Sequence, residues 1–559
     1  MRRMRWLVVL LAAVTLGSAA GLLGAAVNGA GRASASQPQL TSTGSSFAGV
    51  AISQWQGQFN ELDGGNINFT VSSSVIGMND FCNKTVDFGA ADIAYSTGQS
   101  NCTTAQVPYP FQYMPDVAGG LAFEYNLTGQ NGQQITNLVL NAPTLAGIFT
   151  GGINNWNNAA IQALNPNVRL PNQSITAYYR SDPSGENYLL SDYMLHTDPG
   201  PITAFQGLAT VPTPPGQPSA TWASFSNGVP AGLSGLVGVN GSDAASQGPV
   251  HTPGGIAYVE TAYAKNVGLP VASVVNAAGN AEQPTSYNVA VALTAAILYS
   301  DLTQNLAGVY TNADPDTYPI SAYSYFVAQC VPAYAAAQNF SCDSSGGVTM
   351  GSTQGAELSQ FIAYVACLGQ SKMADLGYSP LPPNLVEDDF QAAGRLPGGT
   401  TPPPPTAQNC ANPYITGQLQ AVGGPTVVGA ANPGGSDNSG AAAAVAAAAA
   451  TGAKAAAGTG GPAAAGSSSA ASSSTAAGAA AAKAAGAASK KHVVNALTDP
   501  QLVYPRQDAL TAAATKGLLG WSPAEVALWC VVFALVFIGL PLGVWLSQRR
   551  RRRTVEDGV

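Results

Sequence analysis

Apolar and polar positions along the first ninety residues switch repeatedly between the spacing of a strand and that of a helix. Leu40 to Thr43 is a short strand candidate followed by Gly44-Ser45-Ser46-Phe47. Val50, Ile52, Trp55 and Phe59 then fall on one face of a helix that should end near Gly64-Gly65. Ile67, Phe69 and Val71 alternate as a second strand, Ser72-Ser73-Ser74 leads into a short helix carrying Met78 and Phe81, and Val86 to Ala91 is a third strand that presents Asp92 at its end. Such an alternation predicts an α/β sheet with small hydroxyl residues at the carboxyl ends of its strands, where ligands of α/β sheets bind.

Further along, Gly119 to Glu124, Leu138 to Leu140, Ile175 to Tyr179 and Ile256 to Val259 read as strands, and Tyr318 to Gln329 as a strand pair. Thr144 to Phe149, Asn158 to Leu164, Val289 to Leu302 and Ala356 to Leu368 read as helices, while Gly200 to Pro253 has mixed character. The segment Tyr179 to Asn187 delivers Arg180 from a strand into a turn, Asp182-Pro183-Ser184-Gly185, that opens a helix through Tyr188, Leu189, Tyr193 and Met194. A helix N-terminus beside a fixed guanidinium favours an anion, because unsatisfied amides and the helix dipole both attract negative charge.

Composition limits what this sheet can be part of. From about Pro397 to Lys491 the chain of 559 residues is dominated by Pro, Gly, Ala and Ser, so packing is expected to end near Leu396 and residues 397–521 to form a linker, disordered from Gly423 to Lys490 and with a short membrane-proximal helix over Val493 to Trp521. The net charge of -8 hides an asymmetry: without the basic residues at the two ends, 12 Lys and Arg face 27 Asp and Glu, which argues against nucleic acid as a partner. Arg2, Arg3 and Arg5, an apolar run from Trp6 to about Ala26 and Ala33-Ser34-Ala35 read as a signal peptide over residues 1–35. Val526 to Leu546 carries no charge and is followed by Arg549 to Arg553, the pattern of a transmembrane helix with a cytoplasmic tail over 547–559. The chain is therefore expected at the cell surface, anchored in the plasma membrane by its C-terminal helix.

Six cysteines, Cys82, Cys102, Cys330, Cys342, Cys367 and Cys410, lie in the exported part and suggest three disulfides, with Cys82 to Cys102 the favoured pair and the pairing of the other four open. Cys530 falls in the apolar span. His196, His251 and His492 are far apart and no His or Cys cluster has metal spacing, so no metal or other cofactor is expected.

Several ordered motifs carry a resemblance. They are Thr43 to Phe47, Lys84 to Asp92, Phe149 to Trp156, Leu164-Asn165-Pro166, Arg180 to Asn187, Gly255 to Glu260 and Gly377 to Pro382. In these the chain resembles the phosphate-binding proteins of phosphate-specific ABC transporters. The resemblance implies a type II periplasmic-binding-protein-like fold: an α/β protein of two hinged lobes, with lobe 1 in residues 38–116 and 295–396 and lobe 2 in residues 117–294. It also implies a phosphate ion in the cleft, bound by Ser46, Phe47, Ser74 and Asp92 from one lobe and by Arg180, Ser184, Gly185 and Glu186 from the other. Closure over the ion and delivery to ABC permease subunits would follow, with a cell-surface sensing or interaction role as the alternative. Asp92 is an acceptor, so a ligand that keeps a proton, as phosphate does at neutral pH, satisfies it and bare sulfate does not. Hydrolysis is not expected, because no histidine, metal cluster or activated nucleophile accompanies Ser184.

Two positions depart from the family's pattern. Ser72 to Gly77 lacks paired glycines, and Glu186 stands where the family usually has a hydroxyl residue. Glu186 has three readings. It faces away as a first-turn carboxylate serving its own helix, it is a second acceptor that selects a more protonated anion, or the site no longer binds free phosphate well.

Overall fold

The computed structural model describes residues 38–208, 214–222, 233–343, 346–420 and 422–429. The signal segment, most of the linker, the 526–546 span, the tail after it, Cys530 and His492 lie outside the described residues. Among the described residues no helix is long and apolar enough to cross a membrane.

The opening alternation folds as its spacing predicts. Strand β1 (Leu40–Gly44) leads through a turn to α1 (Gly49–Leu62), then β2 (Ile67–Val71), α2 (Ser74–Cys82) and β3 (Phe88–Ala91). α1 buries Ile52, Trp55 and Phe59, and β1 lies parallel between β2 and β3. The chain can leave β1 only through a glycine. Gly44 has φ +140°, and a Cβ there would come within 2.0 Å of the Ala90 carbonyl oxygen, which accepts the Ser45 N–H at 2.8 Å.

Five more strands complete an eight-stranded sheet: β4 (Phe111–Tyr125), β5 (Thr176–Arg180), β6 (Leu236–Val239), β7 (Gly255–Glu260) and β8 (Ser321–Gln329). Their order is β2-β1-β3-β8-β4-β7-β5-β6. The long strand β4 serves both halves of this sheet. Phe111 to Gly120 pairs with β8, and Leu121 to Tyr125 turns to β7. Every residue of β4 is buried, as a strand shared by two packed halves requires. In the first half Phe59, Phe88, Phe326 and Phe361 pack ring against ring at centroid distances of 5.2 to 5.7 Å. Truncating Phe361 to alanine there would cost about 3 to 5 kcal/mol.

Some elements differ from the pattern reading. The apolar run Val289 to Leu302 is not one helix: it is helical over Ser286–Leu293 and then forms a short strand, Ile297–Leu298. Tyr318 to Gln329 holds the single strand β8 rather than two. The mixed stretch contains β6 and two helices, Pro199–Leu208 and α4 (Ser242–His251). Packing also continues past Leu396. Beyond the helix Pro383–Arg395, Cys410 is buried and bonded to Cys367, buried Asn412 donates to the Leu381 carbonyl at 2.9 Å, and Thr426–Val427 adds a parallel strand to Ile297–Leu298. Composition predicts disorder when no apolar surface is buried; here a disulfide and a few small residues hold a proline-rich segment against the body. The other disulfides are Cys82 to Cys102, as expected, and Cys330 to Cys342.

Candidate functional site

Three strand ends and three helix starts converge where the halves of the sheet meet. From the first half, the turn after β1 contributes Ser45 and Ser46, the end of β3 contributes Asp92, and the start of α2 contributes Ser74; all four are buried. Ser73 caps α2 by accepting the Ile76 N–H, so Ser74 is the first helical residue and its hydroxyl is free to turn toward Asp92. The Ser74 Oγ donates to Asp92 Oδ2 at 2.6 Å, and the Ser45 Oγ donates to Asp92 Oδ1. Burial raises the Asp92 pKa to about 6; the two hydroxyl donors oppose that shift, and the charge of Glu186 adds to it.

The second half answers with charge. β5 ends on Arg180, which is fully buried, and the next turn opens α3 (Gly185–Thr197) with Ser184 as its cap, accepting the Asn187 N–H at 3.2 Å. The turn is held by Asn187, whose Nδ2 donates to the carbonyls of Arg180, Asp182 and Ala220 at 3.0, 3.2 and 2.8 Å. Asp182 takes the guanidinium side-on: Arg180 Nε donates to Oδ1 at 2.8 Å and Nη2 donates to Oδ2. Burial acts to raise the Asp182 pKa, and the Arg180 hydrogen bonds and charge overcome it, leaving the carboxyl below its ordinary value. Arg180 stays protonated because Glu186 and Asp182 outweigh its loss of solvent.

The remaining guanidinium nitrogen, Nη1, crosses between the halves. It donates to Ser46 Oγ at 2.8 Å, to Ser242 Oγ at 2.8 Å and to Glu186 Oε2. Ser242 begins α4 and sits 2.9 Å from Ser46 Oγ, and Gly241 before it donates its N–H to Asp182 Oδ1 at 3.0 Å. Gly185 touches the opposite wall: a Cβ built on it would lie 2.3 Å from Asp92 Oδ2 and 2.6 Å from Ser74 Oγ.

The structure thus brings together Ser46, Ser74, Asp92, Arg180, Gly185 and Glu186. Two expected residues stand differently. The Phe47 ring is in the core and its carbonyl accepts from Tyr378 Oη at 2.7 Å, which leaves its backbone N–H as the group it could offer a ligand; the Ser184 hydroxyl accepts the helix-capping bond and keeps its O–H to donate. Glu186 does not face away. It is fully buried with one oxygen on Arg180.

Residues 30–367, more than half of the chain, match the description "PBP superfamily domain". The chain belongs to the PBP superfamily. A phosphate-binding protein PstS 3 from Mycobacterium tuberculosis (strain ATCC 25618 / H37Rv) is 28% identical over 360 residues, 63% of this chain and 84% of that one. A phosphate-binding protein PstS from Xylella fastidiosa (strain 9a5c) is 29% identical over 351 residues, 62% of this chain and 83% of its own length. A solved phosphate-binding protein from Stenotrophomonas maltophilia superposes with a TM-score of 0.46 at 18% identity, covering 70% of this chain and 100% of that one.

Within this PBP-superfamily chain, three members of the seam were not singled out from the sequence. Ser45 lies inside the Thr43 to Phe47 motif, beside the residues to which the resemblance points. Asp182 has the composition of a turn residue, and the signal for its role is the Arg-x-Asp spacing on a strand end, which lets a carboxylate fold back on the guanidinium. Ser242 follows Gly241 and precedes Asp243, a helix-start pattern hidden in a stretch rich in Gly and Ser. Among the described residues no group of three or more His, Cys, Asp or Glu is arranged to hold a metal ion.

Proposed function

We propose that the two halves of the sheet are the lobes of a solute-binding protein that captures inorganic phosphate between them. The observation that carries this reading is Arg180, a fully buried guanidinium whose Nη1 reaches Ser46 of one half and Ser242 of the other. Hydroxyls and a guanidinium converging from two walls suit a small oxyanion, and charge-assisted bonds of this kind are short and strong. Asp92 adds the acceptor that a protonated oxyanion satisfies, which favours phosphate over sulfate. The names of the relatives from Mycobacterium tuberculosis and Xylella fastidiosa support the same ligand.

In this reading the closed form hands phosphate to an ABC permease, and the protein is a binding protein rather than an enzyme. The uncharged run 526–546 with Arg549 to Arg553 behind it would anchor the chain at the cell surface. Titrating the full chain with phosphate and with sulfate tests the ligand. Phosphate should bind and sulfate should not, and Arg180→Ala and Asp92→Ala should abolish the binding. Failure to bind either anion would overturn the proposal.

A further inference from the structure

Glu186 has a part to play beyond lining the seam. Of the five guanidinium N–H donors on Arg180, the one on Nε and one on Nη2 are directed at Asp182, and Nη1 is shared among Ser46, Ser242 and Glu186. The Glu186 carboxylate gathers more donors than Nη1. Ser242 Oγ lies 3.1 and 3.0 Å from its two oxygens, and the Glu260 N–H donates to Oε1 at 3.2 Å. A guanidinium, a hydroxyl and a backbone amide are also the set that an incoming oxyanion would use. One cation is moreover already matched by two carboxylates, Asp182 and Glu186, with Asp92 across the seam and Glu260 behind them.

We propose that Glu186 is a tethered anion, built into α3, that holds Arg180 and Ser242 and with which phosphate must compete for the site. The inference rests on reading the seam as an anion site. Binding requires the carboxylate to rotate off Nη1 or to take a proton, and burial favours the proton, since it raises the Glu186 pKa in spite of Arg180, Ser242 and the Glu260 amide. A self-ligand of this kind sets the threshold at which outside anion is captured, and it keeps a buried guanidinium compensated between ligands.

The sign of one substitution separates a competitor from a residue that merely positions Arg180. Glu186→Gln keeps the length and one acceptor oxygen but removes the charge, and Glu186→Thr also clears the space. Phosphate titrated into the full chain should bind about tenfold tighter or more in both variants, the effect expected from removing one poorly screened like charge. The gain should vanish when Arg180→Ala is added. Unchanged or weaker binding in both variants, with wild-type chain binding phosphate, overturns the inference and leaves the phosphate reading standing. Binding by Glu186→Thr but not by wild-type chain upholds the inference and overturns phosphate capture by the native protein. If no form binds phosphate, both fall.

Discussion

The two walls of the seam solve the burial of charge in opposite ways. The wall from β1, β3 and α2 surrounds one carboxylate, Asp92, with hydroxyl donors and supplies no cation of its own. The wall from β5, α3 and α4 packs a guanidinium between two carboxylates and ties the set with Ser242. Hydroxyls only soften the cost of burying Asp92, so its pKa climbs to about 6. Ion pairing on the other wall instead holds Asp182 below its ordinary value. The first wall is therefore tuned by proton concentration, while on the second the ion pair outweighs burial at Asp182 but not at Glu186.

Breaking the second wall at its centre should have the largest effect. Arg180→Ala leaves Asp182 and Glu186 buried without their cation, a loss on the order of 3 to 5 kcal/mol in urea unfolding. If stability is instead unchanged, the carboxylates are not held by Arg180 in solution.

Asp92→Asn should sharpen the contrast through pH. The native pKa of Asp92 lies above its unfolded value of 3.8, so the native state holds the extra proton between the two and wild-type stability falls as pH rises through about 6. The penalty is absent below about pH 4 and complete above about pH 6, reaching on the order of 3 kcal/mol. Relative to wild type, the Asn variant should gain about that much between unfolding measurements at pH 4 and pH 7. A difference independent of pH would place Asp92 in contact with water.

Gly185→Ala tests how closely the walls meet. Alanine in place of glycine ordinarily favours a helix by about 1 kcal/mol, but here the new methyl would press on Asp92 and Ser74. Overpacking should win by about 1 to 3 kcal/mol and weaken phosphate binding; a more stable variant would mean that the walls stand apart. The smallest expected effect belongs to Ser242→Ala, which removes the hydroxyl between Arg180, Glu186 and Ser46. A loss of about 1 to 2 kcal/mol in thermal or urea melts is expected, and none if Glu186 and Ser46 close over the gap.

The difference between the walls also explains what could be read from the sequence. Ser46, Ser74 and Asp92 sit at the ends of strands or at a helix start whose periodicity is unambiguous, so local pattern places these elements and the family resemblance picks out the residues. The second wall depends on contacts between distant segments. Ser242 joins Arg180 across 62 residues, from a helix whose small polar composition leaves no apolar stripe to mark it. The direction of Glu186 was equally hidden. A first-turn carboxylate normally serves its own helix in water, and only the position of β7 and α4 shows that this one is enclosed. The same limit applies to Val289 to Leu302, where an apolar run without clear periodicity held a helix and a strand together.

The Cys367 to Cys410 bond has a mechanical consequence. Tension applied to the chain beyond residue 429 would first peel the two-residue strand Thr426–Val427 from Ile297–Leu298 and then meet a covalent stop at Cys410. From there the load passes into Cys367, at the end of the helix Ser352–Ala366, which packs against α1. The short helix Pro413–Thr416 lies on the loaded side, but the helix Pro383–Arg395 and the sheet beneath it are bypassed, so a pull from the C-terminal side would not by itself unwind that helix or pry the two walls apart.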